Sequence, residues 1–348
     1  MEKLSPHIEA ETNLQPLWLI GDLDGNYLDF KTHLARLRAV PMDRSWVIWS
    51  LSQTNEPIWT GKNMRIINSG DVLADRYMGG FQIMEYGSKL RVEAEKEWWS
   101  IDFLTGNHDD RMIGFLMGKW GEFISDDLRW SINPITRKAD HIGIDELLVF
   151  GSKRTEILRN MRNDPRWKML LNEICKMKIF MYGWNALHFH TPPSKLMLDT
   201  LYQTYKNKGE NLDNVIDTIN FNWQQTIRGG FFDPNKESYA DRSKIHYTIL
   251  SSTFLHPLNW TEVSIRKRFK GNTDRYAHNI TPENHPFYEI LKQKYNIHRI
   301  YHGHTDDVPD VDGIEFIGIN RQAIYISPAM VTQKLLNSVK QTIDGLLG

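Results

Sequence analysis

The sequence predicts an α/β fold. Three observations carry this reading. Apolar runs of about four residues read as buried strands. Three of them end in a glycine and a polar side chain, and a helix-favouring stretch follows. Strand, polar loop and helix recur in that order three times before residue 120. Polar loops at the carboxyl ends of strands are where open α/β sheets build their sites.

Leu17 to Ile20 is the first strand, ending in Gly21-Asp22. Asn26 can cap a helix whose apolar face is Leu28, Leu34 and Leu37. Trp46 to Ser50 and Pro57 to Thr60 flank Gln53-Thr54-Asn55-Glu56 and read as a hairpin, an insertion near 45–62. Arg65 to Asn68 is a strand that ends in Gly70-Asp71, and Glu93 to Trp99 favours helix. Ile101 to Leu104 is a strand that ends in Gly106-Asn107-His108, and Met112 to Trp120 reads as the helix after it. Residues 121–175 read as helix and loop without evident chemistry. Met177 to Met181 and Ala186 to Phe189 form a hairpin turning at Gly183-Trp184. Lys195 to Tyr205 and Tyr288 to Tyr295 are helical segments among polar loops. His298 to Tyr301 is a strand ending in Gly303-His304. Ile314 to Ile317 and Ala323 to Ile326 suggest a closing hairpin, and Val331 to Leu347 a terminal helix. No repeat, low-complexity run or linker interrupts the chain, so residues 1–348 are read as a single domain.

The composition narrows the function classes. Hydrophobic residues make up 41% and charged residues 24%, which fits a globular protein. Forty-two basic and 43 acidic residues give a formal net charge of −1, which argues against a basic groove for long DNA or RNA but leaves a local basic patch open. Cys175 is the single cysteine, so no internal disulfide forms, and its apolar neighbours make it a core filler. The amino terminus lacks the apolar core of a signal peptide and no run reaches the length of a membrane span, so a cytoplasmic protein is expected, with nucleus or virion as the other options. The 12 tryptophans are first of all core residues, although some could stack on bases.

Five clusters carry metal-ligand chemistry: Gly21-Asp22-Leu23-Asp24-Gly25, Gly70-Asp71, Gly106-Asn107-His108-Asp109, His188 at a strand end, and Gly303-His304. Asp22 and Asp24 share a face if the chain is extended, so both can reach one hard cation. One carboxylate, such as Asp71, can bridge two ions about 3.5–4 Å apart. Asn107 offers an amide oxygen, and a histidine near neutral pH, such as His108, can protonate a leaving oxygen. Taken singly, each cluster also fits an ordinary turn.

In this order the clusters resemble the calcineurin-like metallophosphoesterases, and within them the phosphoprotein phosphatase branch, which includes lambda-phage-type phosphatases and diadenosine tetraphosphate hydrolases. The motifs span residues 17 to about 330. The resemblance implies a central β-sandwich of two mixed sheets flanked by helices, with the ligands on loops at strand ends. It implies two divalent ions, manganese first, with iron, zinc or magnesium as the other candidates. Asp22, Asp24 and Asp71 would hold the first ion, and Asp71, Asn107, His188 and His304 the second. His108 would be the general acid, oriented by Asp75. Arg76, Arg275 and Arg111 would hold phosphate oxygens. The implied reaction is in-line attack on phosphorus by a hydroxide between the ions.

Four features depart from the family pattern. Asp24 stands where a histidine is usual, and its charge favours manganese or magnesium over softer metals. One extra residue separates Asp71 from Asp75. Phe189-His190 replaces two glycines, so His190 competes with His188 as the ligand. His302 and Asp306 flank His304 and are further candidate donors. Residues 195–285 form a stretch that diverges from the family.

The leading expectation is therefore a phosphoesterase acting on a phosphomonoester or phosphoprotein. The alternatives are a nucleotide or dinucleoside polyphosphate hydrolase, a nuclease, and a weakened pseudophosphatase that serves as a binding module. The partner is a phosphorylated protein, nucleotide or small molecule, and no membrane. The sequence leaves the oligomeric state open.

Overall fold

A computed structural model describes residues 17–37, 39, 59–60, 64–73, 77, 79–97, 99–119, 130–132, 139–141, 144–183, 185–233, 246–251, 253–255, 284–304, 310–319 and 322–326. Outside these lie Asp75, Arg76, Arg275, Asp306, the expected terminal helix, and all of the 45–62 hairpin except residues 59 and 60.

Two four-stranded mixed sheets form the framework. In the first, β1 (Leu17–Ile20), β2 (Arg65–Asn68) and β3 (Ser100–Phe103) run parallel, and β10 (Ala323–Ile326) lies antiparallel to β1. In the second, β6 (Phe180–Gly183) pairs antiparallel with β7 (Ala186–Phe189), and β8 (Arg299–His302) and β9 (Glu315–Gly318) continue in parallel. The last two strands thus belong to different sheets and do not form the hairpin that their spacing suggests. Proximity in sequence favours a hairpin, but β9 completes the edge beside β8 while β10 returns to β1. A small pair, β4 (Trp130–Ile132) with β5 (Ala139–His141), stands in the stretch read as helix and loop.

The two sheets share a buried apolar cluster. Leu17, Leu19 and Ile67 from the first meet Met181, Ala186 and Tyr301 from the second. Strand alternation explains the choice of residues. Leu17 and Leu19 face the other sheet, while Trp18 and Ile20 on the opposite face join the larger core beneath the helices. The chain crosses between sheets where Lys178 bridges Leu104, with Thr105 N–H donating to the Lys178 carbonyl at 2.7 Å. An ion pair marks the same crossing: Asp102 accepts from Lys178 at 2.8 Å and from Arg65 at 3.3 Å.

Helix α1 (Tyr27–Arg36) starts where the Asn26 side chain accepts the Asp29 N–H at 3.1 Å. Its buried face runs through Phe30, Leu34 and Leu37, a four-then-three spacing, whereas Leu28 is 53% exposed. Helix α2 (Gly80–Lys96) begins well before the charged segment expected to be helical. Helix α3 (Asn107–Leu116) begins at Asn107 itself, so Asn107 and His108 sit in a helical first turn rather than in a loop. Helices α4 (Arg154–Asn163), α5 (Pro165–Ile174), α6 (Lys195–Asn207), α7 (Leu212–Phe232) and α8 (Pro286–Tyr295) follow, with a 3-10 helix at Ile144–Phe150 and a short helical segment at 246–251. Among the described residues, no helix is long and apolar enough to cross a membrane.

Parallel register fixes where the polar loops emerge. Ile20 lies level with Asn68, and Asn68 with Phe103. Phe189 likewise lies level with His302. The segments after β1, β2, β3, β7 and β8 therefore leave their sheets side by side.

Candidate metal centre

Three of these segments converge most closely. One donor atom each from Asp71, His190 and His304 lies within 4.8 Å of the others. Asp71 follows β2, His190 follows β7 and His304 follows β8. Asn107 joins them from the first turn of α3, with Oδ1 2.8 Å from His190 Nε2. Asp22 joins from the β1 loop. Its Oδ1 lies 3.7 Å from His190 Nδ1, and its Oδ2 accepts the His304 N–H at 2.8 Å.

The backbone around these donors is unusual for side-chain-bearing residues. Asp24, Asp71 and His304 have φ of 51°, 53° and 65°. Aspartate, asparagine and histidine tolerate this left-handed region better than most residues, but single strained positions gather at functional sites. Close approach adds a second constraint. A Cβ on Gly106 would fall on Asp71 Oδ1, and one on Gly303 would fall on Asp22 Oδ1. The glycines before Asn107 and His304 are there because a carboxylate occupies the space of their missing side chain.

Asp109 ties two of the loops together. Its Oδ1 accepts the N–H groups of Val72 at 2.8 Å and Leu73 at 2.6 Å, and its Oδ2 accepts Gly106 N–H at 2.7 Å. The β2 loop and the start of α3 are thus fixed to one fully buried carboxylate. The sequence places Asp109 in the third cluster but assigns it no task. An acid three residues after a helix N-cap is the available signal.

Electrostatics make the arrangement costly without a cation. Asp22, Asp24 and Asp71 are 5%, 6% and 3% exposed. Burial raises the Asp71 carboxyl well above its ordinary range, and the charges of Asp22 and Asp109 add to the effect. Burial also raises Asp22, partly offset by His190. Carboxylates held this close and this dry are stabilised by a shared proton or by a cation between them.

The histidine geometry fits a cation. His190 Nδ1 lies 2.9 Å from the Ser69 carbonyl, which can only accept, so Nδ1 carries the proton. Nε2 then faces Asn107 Oδ1 at 2.8 Å and Asp71 Oδ1 at 3.5 Å. A ring that carries only the Nδ1 proton would present a lone pair there. One ring nitrogen and two oxygens gathered at this spacing form a donor set that could take a metal ion. Anchoring of the far ring nitrogen by a carbonyl is its usual support.

His188 lies elsewhere. It sits level with Tyr301 on β8, and the two rings stack at 5.4 Å and 7°. Its Nε2 lies 3.2 Å from the Gly183 carbonyl, and burial pushes its pKa down to about 3. The ring is inside the sandwich with Tyr301, not in the cluster. Even spacing along a strand suggests that His188 and His190 share a face, but β7 ends at Phe189, and past that end the alternation no longer holds. The structure thus brings His190, not His188, to the other donors.

His108 stands beside the cluster, and its backbone N–H donates to Asp71 Oδ1 at 2.9 Å. Arg111 lies one turn further along α3, half-buried. Asp24 is near enough to raise the carboxyls of both Asp22 and Asp71, and its carbonyl accepts Tyr77 N–H at 3.0 Å. His302 is fully buried, with Nδ1 2.9 Å from the Gly303 carbonyl.

No known family profile matches the chain, and no curated protein matches its sequence. Among solved structures, a cold-active protein-tyrosine phosphatase of a psychrophilic Shewanella species is similar. It has 13% identity and a TM-score of 0.49, over 90% of this chain and 76% of that one. The phosphatase domain of the Legionella effector WipB has 11% identity and a TM-score of 0.41, over 87% of this chain and 97% of that one. Likeness at this level carries neither fold nor activity across.

Proposed function

We propose that this protein is a two-metal phosphoesterase, acting on a phosphomonoester or phosphoprotein. Asp22, Asp24, Asp71, Asn107, His190 and His304 would hold the ions, with His190 in the place that the motif order suggests for His188. When bound, two divalent ions supply a nucleophile at neutral pH and neutralise charge on the phosphoryl oxygens. Manganese or magnesium suits a donor set this rich in carboxylate.

The chain's own residues have distinct tasks in this reading. Asp71 would be a ligand common to both ions, and by accepting the His108 N–H it keeps that residue beside the phosphate. His108 donates a proton to the leaving oxygen, with Asp75 as its partner. Arg76, Arg275 and Arg111 clamp phosphate oxygens, because a guanidinium fork matches them. Asp109 keeps the two loops from drifting apart.

The convergence of His190 Nε2, Asn107 Oδ1 and Asp71 Oδ1 carries this reading. The test is the metal content of the purified protein, followed by hydrolysis of p-nitrophenyl phosphate with added Mn²⁺. About two bound ions with metal-dependent turnover would support it. Bound metal without turnover would favour a binding module, the reading that Asp24 at a usual histidine position suggests. Absence of bound metal after Mn²⁺ loading would refute the proposal.

A further inference from the structure

Two aromatic residues far along the chain grip both sides of Asn107. Trp223, on α7, donates its Nε1–H to Thr105 Oγ1 at 3.1 Å. Tyr247, in the helical segment 246–251, directs its hydroxyl at Asp110, where the carboxylate Oδ1 and the main-chain carbonyl at 2.8 Å are its acceptors. Thr105 lies two residues before Asn107 and Asp110 three after it. The two rings stack on each other at 5.2 Å and 22°, and both are fully buried. Lys119 completes the group, 3.3 Å from Asp110 Oδ2 and 3.2 Å from Ser251 Oγ.

We propose that Trp223 and Tyr247 are positioning residues for Asn107, a role that rests on the two-metal reading. Burial alone would hold these rings in the core, and any aromatic pair of that volume would serve. Here the polar atom of each ring is spent on the turn that presents Asn107, once before it and once after it. A helix free to roll about its axis swings its first-turn side chains. Two anchors on opposite flanks of Asn107 remove that freedom and fix the direction of Oδ1 towards His190 Nε2. The donors come from the divergent stretch 195–285, so that stretch does more than decorate the fold: it completes the support of the metal loop. Partners bonded directly to a ligand commonly change metal affinity about 10–100-fold, and these two act one bond further back, through Thr105 and Asp110.

Two near-isosteric substitutions test the role. Tyr247→Phe removes the hydroxyl and Thr105→Val removes the acceptor of Trp223, while both rings stay in place. Mn²⁺ affinity is measured by titration calorimetry, and amide exchange of peptides covering 104–113 and 195–207 is followed in metal-free protein. The expected result for the double variant is Mn²⁺ binding about 10-fold weaker than wild type, the low end of what direct partners of a ligand give. Exchange should rise in 104–113 and stay unchanged in 195–207. Unaltered Mn²⁺ affinity, or exchange that rises equally in both segments, would overturn the positioning role and leave the metal site standing. A wild-type protein that binds no Mn²⁺ would instead remove the two-metal reading, and the positioning role with it. If Tyr247→Phe does not fold, Thr105→Val alone decides by the same two measurements.

Discussion

His190 Nε2 lies 2.8 Å from Asn107 Oδ1, with the other ring nitrogen held 2.9 Å from the Ser69 carbonyl. This contact joins the two sheets, since His190 follows β7 and Asn107 follows β3. A metal there would be shared by both halves of the framework.

The pair of histidines gives the first prediction. His190→Ala should weaken Mn²⁺ binding by about 100-fold or more, beyond what loss of an outer partner causes. His188→Phe, which keeps an aromatic ring against Tyr301, should leave Mn²⁺ affinity within a few-fold of wild type. Calorimetric titration of both variants checks this. The opposite order would return His188 to the ligand set.

Asp71→Asn separates metal binding from folding. Asparagine keeps an oxygen for the His108 N–H but removes one of several buried like charges. The metal-free variant should melt at the same temperature as wild type or above it. Added Mn²⁺, which should raise the melting temperature of wild type, should no longer do so, and turnover should vanish. Melting curves with and without Mn²⁺ decide. Near-normal turnover would end the bridging role.

Gly303→Ala tests the packing of the loops. The new methyl must displace the Asp22 carboxylate, because the backbone on which it sits is part of the β8 turn. Overpacking of this kind costs about 1–3 kcal/mol. Urea denaturation should show that loss together with weaker Mn²⁺ binding. Full stability and affinity would mean that Asp22 has room the structure does not give it.

His108→Asn addresses the leaving group. Proton donation matters most for poor leaving groups. Hydrolysis of an alkyl phosphate should fall far more than hydrolysis of p-nitrophenyl phosphate. Equal losses on the two substrates would take His108 out of this role.

Asp102 predicts an acid limit on stability. Burial opposes its ionisation, but Lys178 and Arg65 outweigh burial and hold the carboxyl below its ordinary value. A carboxyl depressed in the folded state stabilises above its unfolded pKa, near 3.9, and loses that stability as pH falls through the folded pKa. Wild type should therefore lose stability below about pH 4, and Asp102→Asn should flatten that part of the profile while lowering stability at pH 7. Denaturation curves between pH 2 and pH 7 give both slopes. Parallel profiles would show that the ion pair at the sheet crossing carries no pH dependence.

Much of the architecture was legible in the sequence because strand ends and glycines are local signals. The runs at Leu17, Arg65 and Ile101, the Asn26 cap and the turn between β6 and β7 need only neighbouring residues to be recognised. So do the positions of Asp22, Asp71, Asn107 and His304. Less local matters were missed. The pair β4–β5, the early start of α2 and the separation of β9 from β10 depend on what packs beside them.

The sequence by itself determined which residue types could bind metal and at which strand ends they stand. Only the tertiary structure decided that His190 turns inward while His188 stacks on Tyr301, that Asp109 fastens two loops, and that Trp223 and Tyr247 reach back to the turn bearing Asn107. The physical reason is distance along the chain. A side chain's direction at a strand end is set by where the strand stops pairing and by partners more than a hundred residues away, such as Thr105 for Trp223. No local periodicity encodes such a partner.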